Sequence, residues 1–199
     1  MNIAIIEDDL IIAGLMRKKL LESKKVKVVE IYPSPVMFLT MSVRPDIVIL
    51  DISLPEMDGL TAIPKILNIY PNTNIVMHTI QDDSDVIFKA LQLGAIGYID
   101  KQSSDVDFDE VIRVLENGGA YMTPSIALKI IKHYQQLNRV TESLTKRELD
   151  IVQGIMDGLS YKLIGVRHGI SIDTVRMHIK NIYKKLNINS KGELFNLMR

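Results

Sequence analysis

The sequence predicts two domains of different class: a doubly wound α/β domain with a five-stranded parallel sheet, followed by an all-α domain. Three observations carry this. Over the first 118 residues, short apolar runs rich in β-branched residues alternate with stretches of helical period. Uninterrupted apolar strands are buried on both faces, as in a parallel sheet covered by helices. From Leu144 onward the pattern is helical throughout. The formal net charge of zero is also split unevenly. Residues 1–118 carry 18 acids and 11 bases, residues 119–140 three bases and no acid, and residues 141–199 ten bases and six acids. An acidic front joined to a basic back suggests two domains and a polyanion partner for the second.

The strands are read at Ile3–Ile6, Val26–Ile31, Ile47–Leu50, Ile75–Met77 and Tyr98–Ile99. The helix after the first strand is read from Leu10, Leu15, Leu20 and Leu21, and the helix after the fourth from Val86, Ile87, Ala90 and Leu91. Pro64 falls early in the helix after Gly59, so that helix either starts near Ile63 or is kinked. Gly118-Gly119 closes the first domain, taken as residues 1–118. Thr123 and Pro124 then start a linker helix, with Ile126, Ile130, Ile131 and Tyr134 on one apolar face. Gln135–Ser143 reads as a polar, mobile stretch, so residues 119–140 are taken as linker helix and flexible linker. In the last domain, residues 141–199, Thr145 and Glu148 have capping-box spacing and Leu144 and Leu149 staple spacing. That helix runs to about Met156. A second spans about Tyr161 to Arg167, His168-Gly169-Ile170 makes a turn, and Ser171 caps a third over Ile172–Leu186. Two short helices around a glycine turn are the local mark of a helix-turn-helix.

Composition excludes several functions. With no cysteine among 199 residues there is no disulfide framework, thiol catalysis or cysteine-bound metal. The longest uncharged run, Ile66–Gln81, is broken by Pro71 and three asparagines and is a poor membrane span. The start, Met1–Ile6, has no basic residue and meets Glu7 at once, unlike a signal peptide. A soluble, cytoplasmic chain with no membrane partner is expected. The four histidines have no metal spacing and read as structural or solvent-facing, His178 being a candidate phosphate contact.

Glu7 and Asp8 directly follow the first strand and Asp51 the third. In a doubly wound sheet the functional crevice lies at the carboxyl ends of the strands, so the three carboxylates converge. Two carboxylates ~4 Å apart repel by roughly 4 kcal/mol at an effective dielectric of 20, which a hard divalent cation such as Mg²⁺ offsets. Thr79 lies just past the fourth strand and Lys101 just past the fifth, at the same crevice. A hydroxyl, an ammonium and a metal-bound carboxylate suit a phosphoryl group, with Asp51 as nucleophile forming an aspartyl phosphate. Any one of these residues alone is unremarkable in a solvated loop; the five together are a matched set.

Glu7-Asp8, the run Asp51-Ile52-Ser53-Leu54-Pro55-Glu56-Met57-Asp58-Gly59, Thr79, and Tyr98 ahead of Asp100-Lys101 resemble a two-component response-regulator receiver domain, whose fold is CheY-like and flavodoxin-like. The resemblance covers residues 1–118. It implies that Asp51 accepts phosphate from a sensor histidine kinase, with Asp8, Asp51 and the Ser53 backbone carbonyl around Mg²⁺. Thr79 and Tyr98 are implied as a switch pair, the ring turning inward on phosphorylation. From the residues alone, Tyr98 is equally a half-buried strand aromatic. The three acids between Gln81 and Asp85 either tune phosphate lifetime or form an exposed acidic loop.

On the Ile172–Leu186 helix, Val175, Ile179, Ile182 and Leu186 form a narrow core-facing stripe. Arg176, Lys180 and Lys184 recur at i, i+4 and i+8 on another face, with Met177 beside them. Such a helix docks on a core and still enters a major groove, where arginine and lysine read guanine edges or grip phosphates. Taken alone, the basic stripe is equally a solvated face. Leu144-Thr145-Lys146-Arg147-Glu148-Leu149, Gly158-Leu159-Ser160, Gly169-Ile170-Ser171, Thr174-Val175-Arg176 and Lys185-Leu186 resemble the LuxR-type DNA-binding domain over residues 141–199. That resemblance implies Arg176, Met177 and Lys180 as the principal contacts to double-stranded DNA. Two departures stand in the second helix: Leu163 where the family has an acid and Gly165 where it has alanine, a mid-helix glycine costing about 1 kcal/mol relative to alanine.

Receiver plus LuxR-type helix-turn-helix is similar to the NarL/FixJ response regulators. This implies a transcription regulator, not an enzyme in the usual sense, that dephosphorylates itself slowly and forms a homodimer on phosphorylation or on DNA. Two rivals stay open: a phosphohydrolase using Asp51, which would want an acid where Ser53 stands, and a phosphorylation-independent DNA-binding protein with a vestigial receiver.

Overall fold

Six parallel strands form one sheet in the order β2-β1-β3-β4-β5-β6: β1 (Asn2–Ile6), β2 (Val28–Tyr32), β3 (Ile47–Leu50), β4 (Asn74–Thr79), β5 (Gly97–Asp100) and β6 (Tyr121–Met122). The sixth strand corrects the five-stranded expectation. After Gly118 turns the chain at φ +73°, Tyr121 and Met122 pair with Gly97 and Tyr98. A two-residue strand is too short to show a period. The computed structural model describes residues 1–42, 44–103 and 106–198. They form two compact units, Met1–Ile130 and Ile131–Arg199.

Alternate residues along each strand point to opposite faces of the sheet and fill two cores. On one face Ile3, Ile5, Ile47, Ile49, Val76 and Ile99 pack with α1 (Leu10–Leu21) and α5 (Phe108–Glu116). On the other, Ala4, Ile6, Val48, Leu50, Ile75, Met77 and Tyr98 pack with α2 (Pro35–Leu39), α3 (Gly59–Ile69), α4 (Ser84–Gln92) and the start of α6 (Pro124–Ser143). Both faces are covered, which is why the strands read as continuous apolar runs.

Three helices differ from the sequence reading. In α1 the buried residues are Ala13, Met16 and Leu20, while Leu10, Leu15 and Leu21 are 69%, 60% and 46% exposed. A five-residue step turns a helix by about 140° beyond a full turn, so a leucine every fifth residue cannot keep one face. The buried set obeys i, i+3, i+7, and Asp9 fixes its phase by accepting hydrogen bonds from the backbone N–H groups of Ile11 and Ile12. Helix α3 starts at Gly59, capped by Asp58, and continues through Pro64. The buried Ala62, Ile63 and Ile66 hold it despite the missing donor. Helix α6 keeps a helical backbone through Ser143, across the stretch the sequence reads as mobile. Side chains 136–141 lie outside the described set. Only Ile126 and Ile130 of its expected apolar face pack on the sheet unit; Ile131 and Tyr134 are 52% and 62% exposed.

The second unit contains α7 (Lys146–Met156), α8 (Tyr161–His168), α9 (Ile172–Leu186), with the end expected from sequence, and α10 (Lys191–Met198), a helix the sequence pattern does not mark. Ile151, Ile155, Ile164, Val175, Ile182 and Leu194 form its core. Gly169, at φ +65°, ends α8 and turns the chain into α9. Gly165 has a steric reason: a Cβ there would stand 2.7 Å from the Ile170 carbonyl oxygen, so alanine does not fit this turn as it stands. Among the described residues no helix is long and apolar enough to cross a membrane.

The capping box forms as read, with Thr145 Oγ1 accepting from the Glu148 N–H and Glu148 Oε2 accepting from the Thr145 N–H. The same Glu148 oxygen lies 2.6 Å from Lys185 Nζ on α9. Burial alone would raise the Glu148 pKa, but the Lys185 and Thr145 bonds outweigh it and hold the carboxyl at about 2. A group depressed on folding contributes its full stability above its ordinary value of 4.5 and loses it as pH falls through the folded value. Glu148→Gln should therefore cost about 1.5–3 kcal/mol at pH 7. Urea unfolding should show the gap from the parent chain narrowing from about pH 5 to pH 2.

Candidate functional site

The strand order reverses between β1 and β3, and the crevice at the carboxyl ends of these strands is where a doubly wound sheet places its site. Glu7 continues β1, its N–H donating to the Tyr32 carbonyl at 3.0 Å, and Asp51 continues β3, its N–H donating to the Ile6 carbonyl at 3.0 Å. Backbone pairing therefore fixes both carboxylates. Glu7 and Asp51 are buried and Asp8 is exposed, and one ligand oxygen from each lies within 4.8 Å of the others. Such a set of hard oxygens fits Mg²⁺.

Lys101 follows β5, its N–H donating to the Thr79 carbonyl at 3.0 Å. Its ammonium lies 2.7 Å from Glu7 Oε2 and 2.8 Å from Asp51 Oδ2. Burial disfavours the Lys101 charge, yet hydrogen bonds to Asp51 and Glu7 and their negative charge raise its pKa above the ordinary value. For Glu7 burial wins, and its pKa stands above the usual carboxylate range despite the Lys101 ammonium. One cation shared by two buried acids leaves the site short of positive charge once Asp8 is counted.

The other Asp51 oxygen, Oδ1, accepts from the Ile52 N–H at 2.6 Å. The loop that follows is pinned by Gly59, whose N–H donates to the Ile52 carbonyl at 2.9 Å. A Cβ on Gly59 would fall 2.0 Å from the Asp51 carbonyl oxygen, so only glycine lets α3 begin this close to the acid.

Thr79 is fully buried at the end of β4, and Tyr98 is fully buried with its ring inside the sheet unit. The inward ring, expected as a result of phosphorylation, is the position the structure has. The reading of Tyr98 as a half-buried aromatic is likewise corrected. Gln81, which the sequence marks only as the start of the acidic loop, joins these groups. Its carbonyl accepts from the Tyr98 hydroxyl, its N–H donates to Thr79 Oγ1 at 3.3 Å, and its side-chain amide donates to Ser53 Oγ at 2.9 Å. A glutamine in a loop has no periodicity or charge to flag it; its position two residues past Thr79 is the one available signal. His78 is buried on β4, and burial, helped by the Lys101 charge, lowers its pKa to about 4, leaving it neutral at physiological pH.

In the second unit Val175, Ile179 and Ile182 are buried along α9, as the stripe requires. Arg176, Met177, Lys180 and Lys184 are exposed on the outer side. Arg176 Nη1 lies 3.1 Å from Asp173 Oδ1, an exposed pair that leaves the guanidinium available. Leu163 of α8 is 53% exposed and takes no place in the core.

A model of the response regulator receiver domain matches residues 3–113, and a model of the bacterial regulatory proteins of the luxR family matches residues 142–198. The oxygen regulatory protein NreC of Staphylococcus carnosus is 34% identical over 163 residues, 77% of this chain and 75% of that protein. The transcriptional regulatory protein DegU of Brevibacillus brevis is 30% identical over 168 residues, 75% of this chain and 71% of that protein. Among solved structures, RcsB of Salmonella enterica serovar Typhimurium, bound to the promoter P1flhDC with phosphomimetic BeF3-, aligns with a TM-score of 0.62 at 22% identity. That alignment covers all of this chain and 97% of the other, and it is a likeness of fold.

Gly59→Ala should force the new methyl group against the Asp51 backbone, a clash that no rotamer relieves. A loss of about 1–3 kcal/mol in denaturant unfolding of the sheet unit is expected. An unchanged midpoint would mean that the α3 start moves freely relative to Asp51.

Proposed function

The chain belongs to the NarL/FixJ group of response regulators, in which a receiver is joined to a LuxR-type helix-turn-helix domain, and from that premise we propose that phosphoryl transfer to Asp51 from a sensor histidine kinase switches its binding to double-stranded DNA. Residues 1–118 act as the phosphoacceptor domain, 119–140 as the connection and 141–199 as the DNA-binding domain. The observation that carries this reading is the convergence of Glu7, Asp8 and Asp51 within 4.8 Å, with Lys101 bridging the two buried members.

In the reaction an Asp51 carboxylate oxygen attacks phosphorus, the N–P bond to the kinase histidine breaks, and an acyl phosphate remains on Asp51. Glu7, Asp8, Asp51 and the Ser53 backbone carbonyl would hold Mg²⁺, which offsets the repulsion between the acids and the phosphoryl oxygens. Lys101, already 2.8 Å from Asp51, gives its ammonium to a phosphoryl oxygen, and the Thr79 hydroxyl donates to another. Thr79 then draws on Gln81, and through Gln81 on Tyr98. The acyl phosphate is lost by slow self-hydrolysis, so the protein acts as a switch in the cytoplasm. Arg176, Met177, Lys180 and Lys184 line the face of α9 that enters the major groove. A homodimer would place two such helices in successive grooves, ~34 Å apart.

Incubation with acetyl phosphate and Mg²⁺ should add the mass of one phosphate to the chain and none to Asp51→Asn. Label persisting in the variant would place the phosphate elsewhere and sink the assignment of Asp51. Arg176→Ala should weaken DNA binding by about 1–3 kcal/mol with relaxed preference at one base step, read by competition between operator variants. A uniform loss across all sequences would make Arg176 a phosphate contact instead.

A further inference from the structure

Helix α6 is tied to the phosphorylation site at two points. At its start the Thr123 N–H donates to the carbonyl of Tyr98 at 3.1 Å. Two turns on, Lys129 Nζ donates to the backbone carbonyl of Asp82 at 2.8 Å and also pairs with the Asp82 carboxylate. Between these points Ile126 is fully buried in the sheet-unit core, and Ile130, the residue after Lys129, packs against it. Asp82 is the neighbour of Gln81, the residue that holds Tyr98, Thr79 and Ser53 together. One ammonium on α6 therefore grips the loop between β4 and α4 through its backbone as well as its side chain.

We propose that the first turns of α6 are a strap that locks the β4–α4 loop through Lys129, and that phosphorylation of Asp51 loosens it. The proposal rests on the phosphoacceptor reading above. The physical route is short. Thr79 Oγ1 accepts the Gln81 N–H at 3.3 Å, and a hydroxyl turned toward a phosphoryl oxygen pulls that partner with it. The Gln81 N–H and the Asp82 carbonyl are separated by only two residues of one short loop, so a shift of the first is passed along the backbone toward the second. The α6 backbone that carries Lys129 does not travel with the loop, because Ile126 and Ile130 anchor it in the core. A hydrogen bond to a backbone carbonyl is more sensitive to such a shift than a side-chain ion pair, which can swing to stay in contact. The strap is half-exposed, 35% at Lys129 and 51% at Asp82. It is therefore weak enough to open with the switch. Helix α6 is also the covalent connection to the helical unit, so whatever loosens its first turns acts on the chain that carries α9.

The test is hydrogen exchange on the full chain, with Lys129→Met as the broken strap and Lys129→Arg as the conservative repair. Without phosphate, Lys129→Met should raise exchange in residues 81–83 and in the first turns of α6 about twofold to fivefold, the range expected for an exposed pair, while Lys129→Arg stays at the parent rate. After acetyl phosphate and Mg²⁺, with one added phosphate confirmed by mass, the parent chain should rise by a similar factor and Lys129→Met should rise no further. Equal exchange in the parent and Lys129→Met, or slower exchange of α6 in the phosphorylated parent, would overturn the strap. A chain that takes up no phosphate would refute the phosphoacceptor reading and with it the trigger. The comparison of unphosphorylated variants would then still decide whether Lys129 holds the loop.

Discussion

A single ammonium serves two buried carboxylates, and much of the sheet unit is arranged to keep it there. Lys101 Nζ lies 2.7 Å from Glu7 and 2.8 Å from Asp51, and a buried acid without such a partner would be strongly destabilising. The strands that carry these residues must end level with one another, and their register achieves this: Ile6 pairs with Leu50 beside β1 and β3, and Thr79 with Asp100 beside β4 and β5. One positive charge does not balance Glu7, Asp8 and Asp51. That deficit makes the site compatible with a hard metal cation.

Around this charge arrangement the chain uses backbone as often as side chain. Gly59 brings the start of α3 against the Asp51 carbonyl, and Gln81 engages Tyr98 and Thr79 through its backbone while its amide reaches Ser53. Backbone contacts transmit small displacements well, because they cannot be relieved by changing a rotamer. Lys129 extends the same logic to α6 by bonding the Asp82 carbonyl.

The helical unit rests on a parallel device. Glu148 caps α7 through Thr145 and binds Lys185 of α9, so one carboxylate fixes both the start of one helix and the angle of another. With α9 held by Glu148 and by the buried Val175, Ile179 and Ile182, its basic side is left exposed. The turn before it is tight enough that Gly165 has no room for a methyl group. The sequence departure from alanine thus belongs to the packing.

The class of both domains is written in the amino-acid pattern, and so are the residue types that gather at the crevice. Apolar runs of β-branched residues placed five of the strands, and acids, a hydroxyl and a lysine just past the strand ends placed Glu7, Asp8, Asp51, Thr79 and Lys101 at one crevice. The capping box at Thr145 and the stripe along α9 were equally legible, because they depend on local spacing. Tertiary structure alone decided the rest. The buried face of α1 follows Ala13, Met16 and Leu20, since small and flexible residues signal burial less clearly than leucine. The strand β6 exists because β5 offers a free edge, and α3 continues through Pro64 because its buried residues outweigh one lost hydrogen bond. Gln81 and Lys129 gain their places from partners distant in sequence, Ser53 and Tyr98 for one and Asp82 for the other. Polar residues in loops and on helix surfaces carry no period, so only the folded chain reveals which of them meet.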